Sequence, residues 1–276
     1  MRPLRSEQAL KPLRHPMTVP QIAELEAPAA WGTVDFISDL HLTAEEPRTF
    51  AAWQRYMETT PADAVFILGD LFEVWVGDDA VSPDLPQDAR FEDRCVQVMS
   101  ATSSRLSLFF MHGNRDFLVG QQLMDLCNGT LLADPTVLHF ADQRFLLSHG
   151  DALCLADTEY LQFRAQVRSA AWQTTFLALP LAERQSIARG LRVQSEARKQ
   201  SGQSYADVDT EAAKQWLNAA AASTLIHGHT HQPGQHELGG SLLRVVLSDW
   251  DVTATPPRAE VIRLTHTGLQ RMPFSV

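Results

Sequence analysis

Ala64-Val65-Phe66-Ile67-Leu68-Gly69-Asp70 is an apolar, β-rich run that ends in a glycine and a carboxylate. Short apolar runs bounded by such residues are typical of buried strands. In α/β proteins, the loops that leave the carboxyl ends of the strands converge on one ligand-binding crevice. Four further stretches have the same form: Val34-Asp35-Phe36-Ile37 before Ser38-Asp39, residues 106–111 before His112-Gly113-Asn114, Phe145-Leu146-Leu147 before Ser148-His149, and Thr224-Leu225-Ile226 before His227-Gly228-His229. The five runs predict an α/β fold with Asp, Asn and His gathered at one edge.

Helical sequence separates the first of these strands. Residues 45–58, 88–104 and 117–127 have helical character, whereas residues 242–247 and 259–264 are expected to form antiparallel strands. This alternation indicates a mixed sheet, or two packed sheets, with helices outside.

The 276 residues are expected to form one large domain behind an N-terminal tail. Residues 1–30 hold five of the fifteen prolines and no sustained periodicity, so we expect an extended or disordered tail there and a domain over 31–276. Residues 157–222 interrupt the strands with helical sequence, which Pro180 is expected to divide into two helices.

Charge is unevenly distributed along the chain. The net charge is −10, so the protein lacks the broad positive field that coats nucleic acid, and no nucleic-acid partner is expected. Residues 164–199 hold seven basic side chains and two acidic ones, a net charge of +5. The default interpretation of such a basic segment is a solvated helix face.

The cysteines and the hydropathy indicate the compartment. Cys95, Cys127 and Cys154 are far apart and odd in number, which favours a reducing environment over a disulfide framework. No apolar run reaches the roughly 18 residues of a membrane span, and no signal-peptide core is present, so we expect a cytoplasmic protein.

The polar clusters at the strand ends suit a metal centre. Carboxylate, amide and imidazole ligands without thiolates favour Mn²⁺, Fe or Zn²⁺. A pair of metals needs a bridging carboxylate, and Asp70 is the natural candidate. The clusters are Asp39-x-His41, Gly69-Asp70, Gly113-Asn114-Arg115-Asp116, His149-Gly150-Asp151 and His227-Gly228-His229.

Each cluster also has a purely structural interpretation. A lone Asp-x-His or His-x-His often only caps a helix or bonds a loop, and only the five clusters in order favour a dinuclear site. By the same reasoning we expect His231 to pack near the site without binding metal, and Asp78 and Asp79 to be loop or cap carboxylates. Trp172, Phe176 and Leu177 fit a helix core as well as a ligand-binding surface.

In this order the clusters resemble the calcineurin-like metallophosphoesterases, whose signature is D-x-H, G-D, G-N-H-[DE], H-G and G-H-x-H. The resemblance covers residues 33–265 and implies an αββα sandwich of two mixed sheets flanked by helices. One departure is that Arg115 stands where the family usually has histidine, which places a phosphate-binding guanidinium at the site.

Within that superfamily the chain is similar to the UDP-2,3-diacylglucosamine hydrolase family. Phe176-Leu177-Ala178-Leu179-Pro180-Leu181 matters most, since it lies outside the metal motifs. The other matching stretches are residues 36–42, Ile67-Leu68-Gly69-Asp70-Leu71-Phe72-Glu73 with Trp75 and Gly77-Asp78-Asp79, residues 112–118 and residues 226–231.

The resemblance implies two Mn²⁺ ions, a helical cap over acyl chains and a set of site residues. Asp39, His41, Asp70 and His229 would hold one ion, and Asp70, Asn114, His149 and His227 the other. Arg115 and His227 would assist catalysis. Substrate contacts would come from Asn114, Arg115, Asp157, Arg192, Ser195, Lys199 and His227.

The implied reaction is hydrolysis of UDP-2,3-diacylglucosamine to UMP and 2,3-diacylglucosamine 1-phosphate in lipid A biosynthesis, by metal-activated water at the α-phosphorus. The protein would be a monomer, peripheral on the cytoplasmic side of the inner membrane. Two alternatives remain: a phosphodiesterase or phosphatase for a soluble nucleotide or phosphoprotein, and a non-catalytic interaction module. The helical insertion and Arg115 disfavour the first, and the intact ligand set disfavours the second.

Overall fold

Two six-stranded sheets pack face to face in a computed structural model that describes residues 19–81, 90–200 and 206–274, without the side chains of 193–200. One sheet has the strand order β1-β6-β7-β8-β10-β9 and the other β12-β11-β2-β3-β4-β5. The strands are β1 (Ala23–Glu26), β2 (Thr33–Ile37), β3 (Ala64–Leu68), β4 (Ser107–Met111), β5 (Thr130–Leu132), β6 (Thr136–Phe140), β7 (Gln143–Ser148), β8 (Thr224–His227), β9 (Gly234–Gly239), β10 (Leu242–Val246), β11 (Glu260–Thr265) and β12 (Gly268–Pro273).

Helices connect the parallel strands and cover the outer faces. Strands β2 to β5 are mutually parallel, while β11 and β12 add antiparallel partners at the other side. Parallel strands need such crossovers, which explains why helical sequence alternates with the first strands. The helices are α1 (Pro47–Thr59), α2 (Phe91–Ser103), α3 (Gln121–Cys127), α4 (Thr158–Val167), α5 (Ala170–Leu177), α6 (Leu181–Gln200) and α7 (Thr210–Ala219).

The apolar residues form three layers of core. Between the sheets, Phe66 stacks on Phe109 at a centroid distance of 4.4 Å, and Phe36 packs beside them. The other faces of the sheets are buried under helices, for example by Trp53 of α1 and Trp216 of α7. Residues of central strands such as β3 therefore meet apolar partners on both faces of the sheet. The predicted αββα sandwich with two mixed sheets is confirmed.

The N-terminal boundary of the domain lies earlier than predicted. Ala23–Glu26 forms β1, which pairs in parallel with β6, and Leu25 packs against the core between the sheets. Placing this part of residues 1–30 in a tail was wrong, because a four-residue edge strand needs no long periodic pattern. The expectation for residues 1–18 lies outside the described residues.

The insertion differs from the two predicted helices. Residues 158–219 form four helices, of which α7 packs on the outer face of the β7–β8 sheet through Ala213 and Trp216 and so belongs to the sandwich. The structural insertion is therefore α4–α6, with Pro180 between α5 and α6 as expected, and we call these three helices the cap. Within the described ranges, no helix has the length and apolarity that a bilayer crossing requires.

Candidate metal centre

Loops from the carboxyl ends of β2, β3, β4, β7 and β8 bring the polar clusters together. The backbone of these loops is unusual, because five residues of the clusters have a positive φ: Asp39, His41, Asp70, His229 and His231. Non-glycine residues in this region are uncommon and carry a local cost of about 1 kcal/mol or more, and they concentrate at functional sites. The Asp39-x-His41 turn and the His229-x-His231 turn thus have the same strained backbone conformation.

The first group of facing atoms comprises Asp39, His41 and His231, whose ligand atoms lie within 4.8 Å of one another. The Nε2 atoms of His41 and His231 are 3.2 Å apart, and His231 Nε2 lies 3.4 Å from an Asp39 oxygen. Asp70 Oδ2 stands 3.9 Å from His41 Nε2 and extends the group. Two imidazole nitrogens and two carboxylates therefore face one another.

The second group lies on the other side of Asp70. His149 Nε2 is 3.8 Å from Asp70 Oδ2, and ligand atoms of Asp39, Asp70 and His149 lie within 4.8 Å of one another. The side-chain oxygen of Asn114 lies 3.0 Å from His149 Nε2 and 2.8 Å from His229 Nδ1. Asp70 faces both groups, which agrees with the bridging carboxylate that its sequence position predicts.

This grouping differs from the predicted division of the histidines. His231, expected only to pack nearby, lies with Asp39 and His41, while His229 lies with Asn114 and His149. His227 is outside both groups: its ring is fully buried and its Nδ1 donates to the carbonyl oxygen of Gly228. The signature G-H-x-H fits only residues 228–231, so the glycine in the motif is a signal that favours His229 and His231 as the pair.

The residues present fit a pair of metal ions. Nδ1 of His149 donates to the carbonyl oxygen of Leu68 at 2.9 Å, which leaves its Nε2 lone pair for a cation. Glycine allows the loops to approach one another: a Cβ on Gly69 would stand 2.5 Å from His149, and one on Gly113 would clash with Asp70. Carboxylate, imidazole and amide donors suit Mn²⁺, Fe or Zn²⁺.

The charges of the cluster favour a cation. Burial alone would make His149 less basic, but Asp70, Asp151 and Asp39 outweigh it and raise the pKa of His149 to about 9. Burial and the neighbouring His149 lower the pKa of His229 to about 3. The carboxylates therefore stabilise positive charge at this edge of the sheets, which is what a metal site needs.

Asp116, beyond the predicted site residues, holds two of the loops together. Its carboxylate accepts from the backbone N–H groups of Gly113 and Leu71, each at 2.8 Å. Burial and the charge of Asp70 raise the pKa of Asp116 to about 7. The acidic position of the G-N-x-[DE] motif thus orders the backbone beneath Asp70 and Asn114.

Glu73 lies between the metal-facing residues and two arginines. One of its oxygens is 2.9 Å from His41 Nδ1, and the other lies 3.6 Å from Arg115 and 3.2 Å from Arg192 of α6. Although burial opposes ionisation, these three cationic partners lower the pKa of Glu73 to about 2. The predicted substrate contacts Arg115 and Arg192 therefore converge on one carboxylate beside the metal centre.

Helix α4 holds the cap against the metal-binding loops. Tyr160, Arg164 and Arg168 recur at intervals of four residues and so lie on one face. Tyr160 Oη donates to the fully buried Asp151 at 2.5 Å, Arg164 Nε donates to the same oxygen at 2.8 Å, and Arg168 donates to the carbonyl oxygen of Gly113. The Tyr160 ring also stacks on His229 with centroids 5.9 Å apart.

Other basic residues of the cap likewise contact the body. Arg184 is buried, donates to the carbonyl oxygen of Val76 and pairs with Asp79. Four of the seven basic residues between 164 and 199 thus contact groups of the sandwich: Arg164, Arg168, Arg184 and Arg192. The interpretation of this segment as a uniformly solvated basic face was therefore wrong. The spacing of the arginines, close to the helical period of 3.6 residues, could have indicated that they share a buried face. The sequence alone does not show which distant carboxylates they contact.

The remaining predicted residues have varied positions. Asp157 is the N-cap of α4 and accepts from the Tyr160 N–H, which leaves its second oxygen for other partners. Asp78 accepts from the N–H groups of Gly120 and Leu123 at the start of α3, as expected of a cap carboxylate. Ser195 and Lys199 lie on α6 where side chains are not described.

Paired mixed sheets with carboxylates, an amide and imidazoles at the strand ends define the class of metal-dependent phosphoesterases. The model of the calcineurin-like phosphoesterase family matches residues 32–233.

Proteins named UDP-2,3-diacylglucosamine hydrolase are similar over most of the chain. The Chromobacterium violaceum protein is 44% identical and aligns with 79% of this chain and 90% of its own. The Ralstonia nicotianae protein is 40% identical, with coverages of 88% and 93%. The chain belongs to the calcineurin-like phosphoesterase family and, within it, to the UDP-2,3-diacylglucosamine hydrolase family.

Proposed function

We propose that the protein hydrolyses the diphosphate bond of UDP-2,3-diacylglucosamine, giving UMP and 2,3-diacylglucosamine 1-phosphate for lipid A biosynthesis. The observation that carries the proposal is a cavity of about 270 Å³ between the cap and the body, bordered by Glu73 and Arg192. The cavity combines an apolar lining, which suits acyl chains, with Arg189 and Arg192, which suit an anionic head, beside the carboxylates of Glu45, Glu73 and Glu92. Its apolar lining includes Leu42, Phe72, Trp75, Val76, Ala80 and Phe91.

Two divalent cations, proposed as Mn²⁺, would be held by the two groups of facing side chains. Asp39, His41, Asp70 and His231 would hold one ion, and Asp70, Asn114, His149 and His229 the other. Such a pair supplies an activated water and neutralises charge that grows on the phosphoryl oxygens.

The protein's own residues would position the substrate. Arg115 follows Asn114, donates its backbone N–H to Asp70 at 2.8 Å, and presents a guanidinium able to bind a phosphate in a bidentate manner. Its buried Nε has no hydrogen-bond partner among the described residues and is available for that purpose. We assign no substrate contact to His227, since its ring is fully buried. Asp157, Ser195 and Lys199 remain proposed contacts from the cap.

Attack at the α-phosphorus is part of the proposal. Hydrolysis in ¹⁸O-labelled water should place the label in UMP, and label in the lipid phosphate would contradict α-attack.

Contact with the membrane is proposed to be peripheral, through the cap, on the cytoplasmic side of the inner membrane. Phe163, Leu177, Ile187 and Leu191 are large apolar side chains exposed on α4, α5 and α6. Apolar residues beside basic ones suit an anionic lipid surface. Flotation with phosphatidylglycerol vesicles should recover the protein as a monomer at the vesicle surface, and Leu177→Ser with Leu191→Ser should reduce that recovery.

The test of the activity is Mn²⁺-dependent release of UMP from the lipid nucleotide. Asp39→Ala removes a carboxylate of the metal-facing group and should lower the rate by at least about 100-fold. Asp125→Ala, a change at an exposed position of α3, is the matched control and should retain the wild-type rate. Equal rates for Asp39→Ala and wild type, or release from soluble nucleotides alone, would contradict the proposal.

A further inference from the structure

Glu73 stands where three loops of the metal-facing site meet the cap. It follows β3 in the chain, His41 follows β2, Arg115 follows β4, and Arg192 belongs to cap helix α6. The Glu73 side chain is 13% exposed, the Arg115 side chain 14% and the Arg192 side chain 38%, so Glu73 is largely shielded while solvent reaches Arg192. A shielded carboxylate with three cationic neighbours transmits a change at one neighbour to the others, because it has little water to replace a lost partner.

The two oxygens of Glu73 have different partners. Oε2 lies 2.9 Å from His41 Nδ1, an ion-pair contact outside hydrogen-bond geometry, whereas Oε1 faces both arginines. The opposite nitrogen of His41, Nε2, faces His231 and Asp70 in the metal-facing group. A carboxylate on the far nitrogen of a metal-binding histidine fixes the ring orientation and its basicity, and losing such a partner typically weakens metal binding about 10-fold to 100-fold.

We propose that Glu73 is a positioning residue that couples the seating of the cap, through Arg192, to the orientation of the His41 imidazole. The inference rests on the proposed metal-dependent function and adds a route from the cap to that centre. When Arg192 holds Oε1, the carboxylate is fixed with Oε2 toward His41. When Arg192 is withdrawn, the carboxylate can rotate and His41 loses its support.

The coupling predicts an effect whose sign is opposite to that of simple electrostatics. Removing the positive charge of Arg192 should strengthen the binding of a cation if only long-range charge matters. If Arg192 acts by holding Glu73, Arg192→Gln should instead weaken Mn²⁺ binding, by about 3-fold, a size usual for coupled neighbours.

The experiment is a double-mutant cycle read by Mn²⁺ binding to the full chain, with free Mn²⁺ measured by electron paramagnetic resonance. Glu73→Gln should raise the Mn²⁺ dissociation constant by about 10-fold. Glu92→Gln, which removes one charge from the wall of the same cavity, should change it much less. In the Glu73→Gln background, Arg192→Gln should have no further effect. Thermal unfolding of the metal-free variants checks that each is folded.

Two results would overturn the coupling. One is equal Mn²⁺ affinity in Glu73→Gln and Glu92→Gln. The other is an Arg192→Gln effect that strengthens binding or is the same in both backgrounds. The cycle needs no substrate, because it is read by Mn²⁺ binding. A protein that shows the coupling but releases no UMP would therefore contradict the proposed substrate and still support the coupling.

Discussion

At the scale of single residues, the metal-facing side chains were predictable by type but not fully by position. Polar side chains that follow apolar runs at strand ends pointed to Asp39, His41, Asp70, Asn114 and His149. The histidine pair near β8 was ambiguous, because residues 227, 229 and 231 alternate in the sequence and either adjacent pair gives His-x-His. In the structure, His231 lies with Asp39 and His41, and His229 lies with Asn114. The positive φ angles that give these histidines their positions are not visible in a sequence.

His231 and His227 can be separated by substitution. His231→Ala should lower the Mn²⁺ stoichiometry from two ions to one and reduce UMP release by about 100-fold or more, because a direct ligand is lost. His227→Gln should retain both ions and lose about 1–3 kcal/mol of stability, since it disturbs a buried hydrogen bond. Metal analysis by mass spectrometry and urea unfolding measure the two effects. Loss of an ion in His227→Gln with two ions kept in His231→Ala would contradict our grouping.

At the scale of elements, the strands and the sandwich helices followed from apolar runs and their spacing, whereas the anchoring of the cap did not. Helix α4 has weak amphipathic character, since its inward face carries Tyr160, Arg164 and Arg168 instead of aliphatic residues. A sequence does not distinguish an arginine in solvent from one paired with a buried aspartate. Asp151 follows β7 and Asp134 lies between β5 and β6, and only the fold brings both carboxylates to α4.

Removing the Arg164 charge should destabilise the protein strongly. Arg164→Met leaves the fully buried Asp151 with less compensation, and breaking a buried ion pair on one side typically costs about 3–5 kcal/mol. Arg189→Gln, at an exposed position of α6, should change stability by less than about 0.5 kcal/mol. Urea unfolding at pH 7 measures both. The double variant Arg164→Met with Asp151→Asn should recover part of the loss, and equal stability of the double and single variants would argue against the pairing.

At the scale of the whole molecule, the net charge of −10 hides a separation of charge between the body and the cap. Carboxylates converge on the metal centre and on the cap arginines, so the acidic body and the basic cap are complementary surfaces. The composition predicts one large domain, and this stays a prediction. It did not predict that the domain begins before residue 30, because β1 is held by its pairing with β6 and has little apolar sequence of its own.

The pH dependence of stability should show the pairing of Asp207 with Arg244, which joins the segment before α7 to β10. Burial disfavours the Asp207 charge, but the bonds from Arg244 at 2.8 and 3.0 Å prevail and lower the pKa below the ordinary 3.8. A lowered carboxyl pKa stabilises the fold above about pH 4, and this contribution is lost as pH falls through the folded-state value. Since Asp207 is 45% exposed, the effect should be on the order of 1 kcal/mol.

Asp207→Asn should therefore be less stable than wild type at pH 7, and the difference should shrink at pH 3. Urea unfolding at several pH values gives both numbers. Asp142→Asn, on an exposed turn between β6 and β7, is the control and should show a much smaller difference. A difference between Asp207→Asn and wild type that grows toward low pH would have the wrong sign.

The anchoring of α4 also limits how this enzyme class can change by recombination. An insertion held only by its two ends could be exchanged between relatives as a cassette. Here Arg164, Arg168 and Arg184 depend on Asp151, Gly113 and Asp79 of the recipient scaffold. A chimera that receives residues 158–200 without those partners would contain unmatched buried charges, so the cap and the loops beneath it are expected to be inherited together.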